Sequence, residues 1–176
     1  DARMLEAETL TEESKFAEAL LVFESIARDF PDSPCADEAW GRVGDCHFSL
    51  ATEDPANPRL ERYQQAVLAY QQVLNSLRAD RAIKSQARYK IGKCFEKLGK
   101  RAEALERYLE IVYDADDSGR ITAEPAWFSR AGLDAGELLE ADGRWREAAK
   151  VYARLAQSGL AGADSAKQRL QRIQTE

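Results

Sequence analysis

Residues 16–26 read FAEALLVFESI, and the same pattern returns as YQQAVLAYQQV (63–73), RAEALERYLEI (101–111) and WREAAKVYARL (145–155). In each an alanine is followed four residues on by an aromatic and three beyond that by an aliphatic side chain. The sets are Ala19, Phe23, Ile26; Ala66, Tyr70, Val73; Ala104, Tyr108, Ile111; and Ala148, Tyr152, Leu155. That spacing lies on one face of an α-helix. A small residue at the same place on every face implies that a second helix approaches closely there.

The partner helix lies upstream. Gly92, Gly136 and Ala7 stand twelve residues before Ala104, Ala148 and Ala19. Gly44 stands 22 before Ala66, and TEDPANPRLE (52–61) fills the excess. Leu10, His47, Phe95 and Leu139 each follow their small residue by three. Each unit is therefore a helix with a small residue, a short turn, and a helix with the alanine–aromatic–aliphatic face. The turns KLGKR and EADGRW supply Gly99 and Gly143 as helix-ending residues.

This arrangement resembles the tetratricopeptide repeat (TPR) family. The shared motif runs from the small residue through alanine, aromatic and aliphatic to a proline five residues later, which Ile26 and Pro31 complete. FPDSP (30–34) is then the turn between two repeats, and CADEAW (35–40) opens the next first helix. The alanine-to-alanine spacings are 47, 38 and 44, longer than the usual period of about 34. The later repeats lack the closing proline, and Arg101 replaces the usual aromatic. The phrase RDFPDSPCADEAWGRVGDC (28–46) is similar to a longer bacterial subtype found in cell-envelope TPR proteins.

The resemblance implies an all-α, right-handed superhelical solenoid in which stacked helical pairs share one core. A single domain over 1–176 is expected, with repeats at about 1–33, 34–79, 80–120 and 121–160. Helices are expected at roughly 2–13, 15–29, 35–51, 60–77, 82–98, 101–114, 123–141 and 145–157, with 52–61 a protruding loop or helix extension. After the stop signal SGLAG, Ala166, Leu170 and Ile173 form a narrow apolar stripe on a capping helix at 163–174; the alternative is the opening of a fifth repeat. The chain opens on Asp1 inside a helical pattern, as a piece of a longer protein would.

The chain has 176 residues, 44% of them hydrophobic, enough for a sizeable core. Its net charge of −6 argues against nucleic acid as the main partner. No apolar run approaches the ~20 residues needed to span a bilayer. Three scattered cysteines, Cys35, Cys46 and Cys94, make neither a disulfide framework nor a zinc site. The envelope resemblance favours a bacterial periplasm, with the cytoplasm the alternative.

Nothing points to catalysis. His47, the sole histidine, occupies a position that is Leu10, Phe95 or Leu139 in the other repeats, and reads as packing. No phosphate-cradling loop or cofactor motif is present. Asp114, Asp116 and Ser118, with Gly119 and Ile121, resemble the first half of an EF-hand calcium loop. The closing position is Pro125 rather than a bidentate glutamate, so an acidic inter-repeat turn is the better reading.

By the TPR resemblance, first helices line a concave groove. Its stripe would hold Met4, Glu8, Thr11; Gly41, Asp45, Phe48; Tyr89, Lys93, Glu96; and Leu133, Glu137, Glu140. Phe48, Tyr89 and Leu133 are candidate anchors for a partner's apolar side chains. Lys93, Lys97, Arg130 and Glu137 set register by charge, or Lys93 pairs with Asp45 and Glu137 on neighbouring helices. No asparagine stands on the stripe, and Glu8 and Asp45 would repel the C-terminal carboxylate that chaperone-binding TPR proteins grip. The expected function is a scaffold binding a protein or peptide. The alternatives are a spacer or self-association module of a larger envelope protein, and an enzyme-accessory or calcium-responsive domain.

Overall fold

The computed structural model describes residues 2–54, 56 and 58–175. Among these are nine α-helices: α1 (Ala2–Glu12), α2 (Phe16–Asp29), α3 (Ala36–Thr52), α4 (Leu60–Asn75), α5 (Arg81–Lys97), α6 (Arg101–Val112), α7 (Pro125–Ala141), α8 (Trp145–Ser158) and α9 (Ala163–Thr175). The described residues form no strand, only an isolated antiparallel bridge between Ala115 and Ile121. The fold is the all-α helical-repeat class expected, and every helix boundary falls within two residues of its predicted place. The expectation for 52–61 lies partly outside the described residues, since Pro55 and Asn57 are among those not described. The chain forms two compact units, residues 1–99 and 100–176.

In the first unit α1 packs on α2, α2 on α3, α3 on α4 and α4 on α5. All twelve residues of the four repeated faces are buried, none more than 5% exposed. Their register is fixed by close approach. A Cβ added at Gly44 of α3 would sit 2.4 Å from the Tyr70 ring of α4. In the second unit, where α6 packs on α7, α7 on α8 and α8 on α9, a Cβ at Gly136 would sit 2.3 Å from the Tyr152 ring. In α3 and α7 the glycine is required because an aromatic ring from the partner helix occupies the space a side chain would need.

The turn inside the repeats recurs. Ser14, Gly99 and Gly143 have φ of 59°, 73° and 69°, and a basic residue, Lys15, Lys100 or Arg144, follows each. Lys15 N–H donates to Leu10 O and Arg144 N–H to Leu139 O, both at 2.8 Å, closing the first helix in the same way. Ser14 alone among the described non-glycine residues has positive φ, where a Cβ costs ~1 kcal/mol or more. Ser14→Gly is expected to raise stability by about 0.5–1 kcal/mol, read from urea midpoints.

Helix starts are set differently. Asp80 Oδ1 accepts from Ile83 N–H at 2.9 Å and caps α5. Glu124 Oε2 accepts from Ala126 and Trp127 N–H at 3.1 and 3.2 Å and caps α7, with Pro125 in its first turn. In the FPDSP turn Phe30 N–H closes α2 on Ile26 O, and Ser33 accepts from Cys35 N–H through Oγ and from Ala36 N–H through O.

Helix α9 stands to α7 and α8 as α5 stands to α3 and α4. Ala87, Lys90, Ile91 and Cys94 correspond to Ala166, Arg169, Leu170 and Ile173. Lys90 lies over the Tyr70 ring at 5.7 Å and Arg169 over the Tyr152 ring at 5.9 Å. Exposed Gln171 stands where Gly92 stands in α5.

Candidate partner-binding face

One face of the first unit is built by α3 and α5 over a floor from α4. Lys90 Nζ donates to both oxygens of Asp45, at 2.6 and 2.8 Å, and Tyr70 Oη donates to Asp45 Oδ1 at 2.7 Å. The pair is partly shielded, with the two side chains 23% and 29% exposed. Arg42 lies among three carboxylates, 3.5 Å from Glu8, 3.9 Å from Glu38 and 4.0 Å from Asp45. A charged ladder therefore joins α1, α3 and α5, and Tyr70 ties its centre to the ring that fixes Gly44.

Cavities open on either side of the Asp45–Lys90 bridge. One, of about 280 Å³, has apolar walls from Tyr70, Val73, Ile83 and Ala87, with Asp37 and Glu38 among its polar lining residues. Gly41 lines it too, and a Cβ there would meet nothing within 4 Å. The other, of about 250 Å³, is bounded by Phe48, Ser49, Tyr70 and Lys93. Phe48 is held edge-on against Tyr63, ring centroids 5.2 Å apart. No group of histidine, cysteine or carboxylate side chains able to hold a metal occurs among the described residues.

Residues 86–118 and 134–162 each match the tetratricopeptide repeat family. Those two stretches read as tetratricopeptide repeats. Among solved structures the chain is similar to a Podosopora anserina protein described as a kinesin light chain with nearly identical TPR-like repeats. A crystal structure of that protein aligns with a TM-score of 0.62 at 14% identity, covering 99% of this chain and 84% of the other. A substituted variant of it gives 0.63 at the same identity and coverage. At that identity the likeness is one of fold. A comparison with curated proteins finds no match. Tetratricopeptide repeats generally mediate protein–protein interaction and are generally non-catalytic. No described helix is long and apolar enough to cross a membrane.

The repeats distribute the candidate residues unevenly. Phe48 and Lys93 meet in one cavity. Tyr89, half-buried, and Lys97, exposed, lie on α5 but line neither cavity. Lys93 forms an ion pair with Glu96 at 2.8 Å within its own helix, whereas the cation on Asp45 is Lys90. Met4, placed on the groove stripe by its spacing, is buried in the core with Ala7 and Phe23. On α7, Arg130 stacks its guanidinium 4.9 Å from the Trp127 ring, Leu133 lies beside Gly162, and Glu137 is ion-paired with Arg169 of α9. Arg169 and Arg172 both reach Glu140, so α9 lies over the acidic stripe of α7.

Sequence reasoning missed Lys90 and the α4 floor. A signal existed: an acid directly follows the glycine in Asp45 and Glu137, and a cation three residues after an alanine recurs in Ala87–Lys90 and Ala166–Arg169.

His47 packs in the first unit, 7% exposed, with Nδ1 3.2 Å from Arg62 Nη1. Burial, and then the Arg62 charge, lower its pKa to about 4. It is a neutral imidazole accepting from Arg62. Burial likewise pushes the Cys46 thiol up to about 11 and the Cys94 thiol up to about 12, so neither is poised as a nucleophile.

In the 114–125 loop Asp114 and Asp116 spend their carboxylates on the loop itself. Asp116 Oδ1 accepts from Ser118 Oγ (2.6 Å) and from the N–H groups of Ser118 and Arg120 (3.0 Å each). These bonds, that of Ser118 first, hold the Asp116 carboxyl below its ordinary pKa. Asp114 Oδ1 accepts from Thr122 Oγ1 at 2.8 Å, and Glu124 caps α7. The oxygens serve separate donors rather than converging. Millimolar calcium is expected to leave the melting temperature unchanged. A rise lost in the Asp114→Ala, Asp116→Ala double variant would show a site, because native-state binding stabilises by mass action.

Proposed function

We propose that the protein is a non-catalytic scaffold that binds a protein or peptide segment on the α3–α5 face of its first unit. The observation that carries this reading is the pair of cavities flanking the Asp45–Lys90 bridge, with the space over Gly41 left open. The bridge gives the face a rigid divider, so side chains of one segment can enter on both sides. Phe48 and Lys93 take part directly, and Tyr89 and Lys97 flank them on α5. The corresponding α7 stripe, with Leu133 and Glu137, is engaged by α9, which favours the first unit as the site. The similarity of residues 28–46 to the longer cell-envelope repeats supports a place in a bacterial envelope assembly.

Gly41→Leu tests this reading cleanly. The new side chain enters open space, so the helical spectrum should be unchanged, while affinity for a partner captured by crosslinking from the native source should fall about tenfold or more. Undiminished binding to a folded Gly41→Leu chain would move the site elsewhere.

A further inference from the structure

The cavity between α3, α4 and α5 is lined by three carboxylates, Asp37, Glu38 and Asp45, and two cations, Arg42 and Lys90. Lys90 is taken by Asp45, and Arg42 lies beside Glu38. Among the described residues Asp37 is left without a cation. It is 8% exposed, and its one side-chain bond is from the neutral Ser76 hydroxyl, at 2.9 Å. Arg78, on the neighbouring turn, spends its guanidinium on Asp32 and the Pro31 carbonyl. A carboxylate removed from water without a counter-charge is costly. The first turn of α3 offsets part of that cost through its N-terminal N–H groups.

We propose that this cavity takes a lysine or arginine side chain of the bound segment, its aliphatic stem against Val73, Ile83 and Ala87 and its cationic head at Asp37. The inference rests on the peptide-binding reading of the same face and names the chemistry of the occupant. Long basic side chains fit because they combine an apolar stem with a charged end, and the cavity offers apolar walls beside an unbalanced acid. An acidic side chain would meet Asp37 and Glu38. An uncharged one would leave Asp37 as it is, buried without a counter-charge.

Random heptapeptides displayed on phage and selected on the intact chain supply the probe. The wild type should enrich lysine or arginine beside apolar residues. A synthetic copy of an enriched peptide should bind Asp37→Asn, which keeps the Ser76 hydrogen bond, about tenfold or more weakly. The same loss is expected for Gly41→Leu, and wild-type binding should weaken with added salt. Should Asp37→Asn fail to fold, the enriched composition, the salt dependence and Gly41→Leu still decide. Enrichment of acidic or uncharged peptides whose binding Gly41→Leu abolishes would overturn the basic occupant and leave peptide binding standing. No enrichment on the wild type would overturn both.

Discussion

Gly44→Ala is expected to destabilise the chain by about 1–3 kcal/mol, whereas Gly41→Ala, on the same helix, raises stability by about 1 kcal/mol. The two substitutions are chemically identical. At Gly41 a Cβ enters open space, and only the better helix propensity of alanine is felt. At Gly44 the Cβ would lie 2.4 Å from the Tyr70 ring, and that ring cannot simply swing away. Tyr70 is 2% exposed, and its hydroxyl is bonded to Asp45, itself bridged to Lys90. Overpacking at a pinned aromatic therefore displaces α3 from α4. Gly136→Ala should behave as Gly44→Ala does, since its Cβ meets Tyr152 at 2.3 Å. Chemical denaturation of the three variants measures the contrast. A stabilised Gly44→Ala would mean that the helix pair is not packed in this register.

The pH dependence of stability carries the second large effect. His47 has a folded-state pKa of about 4, below the ordinary value of 6.5. The unfolded chain therefore takes up a proton first as pH falls. His47 contributes stability that is fully present above pH 6.5 and is lost as pH falls from 6.5 toward 4. The full loss amounts to up to about 3 kcal/mol. His47→Leu, the residue at the equivalent place in Leu10 and Leu139, should flatten this part of the profile while carboxylate titration continues below it. Denaturant midpoints for both proteins between pH 7.5 and 4.5 make the comparison, and parallel curves would exclude the assignment.

The repeated faces were legible because they depend only on periodicity within one helix. Ala19, Phe23 and Ile26, and their three counterparts, are all in the core. Turn glycines were legible for the same local reason, while Ser14 was not, since serine carries no positive-φ signal of its own. The charged ladder was harder to read. Which lysine reaches Asp45 depends on how α5 is rotated against α3, and Lys90 and Lys93 stand three residues apart, just under one helical turn. Met4 was assigned by spacing to an open stripe and is instead in the core with residues of α2 and α3. The cavity beside Gly41 is a property of three helices and of a missing side chain, so no single segment could announce it. Helix α9 lay between: its stripe was visible, but its equivalence to α5 lies in Arg169 and Lys90 standing over corresponding tyrosines.

The most direct measurement of the central claim is site-specific photocrosslinking. A benzophenone amino acid at Gly41 projects into the open space of the α3–α5 face, and one at Leu68, 52% exposed on α4, projects into solvent. In native extract the account predicts a defined crosslinked partner from position 41, competed by excess unlabelled wild type, and none from position 68. A partner captured from position 68 and not from position 41 would contradict it.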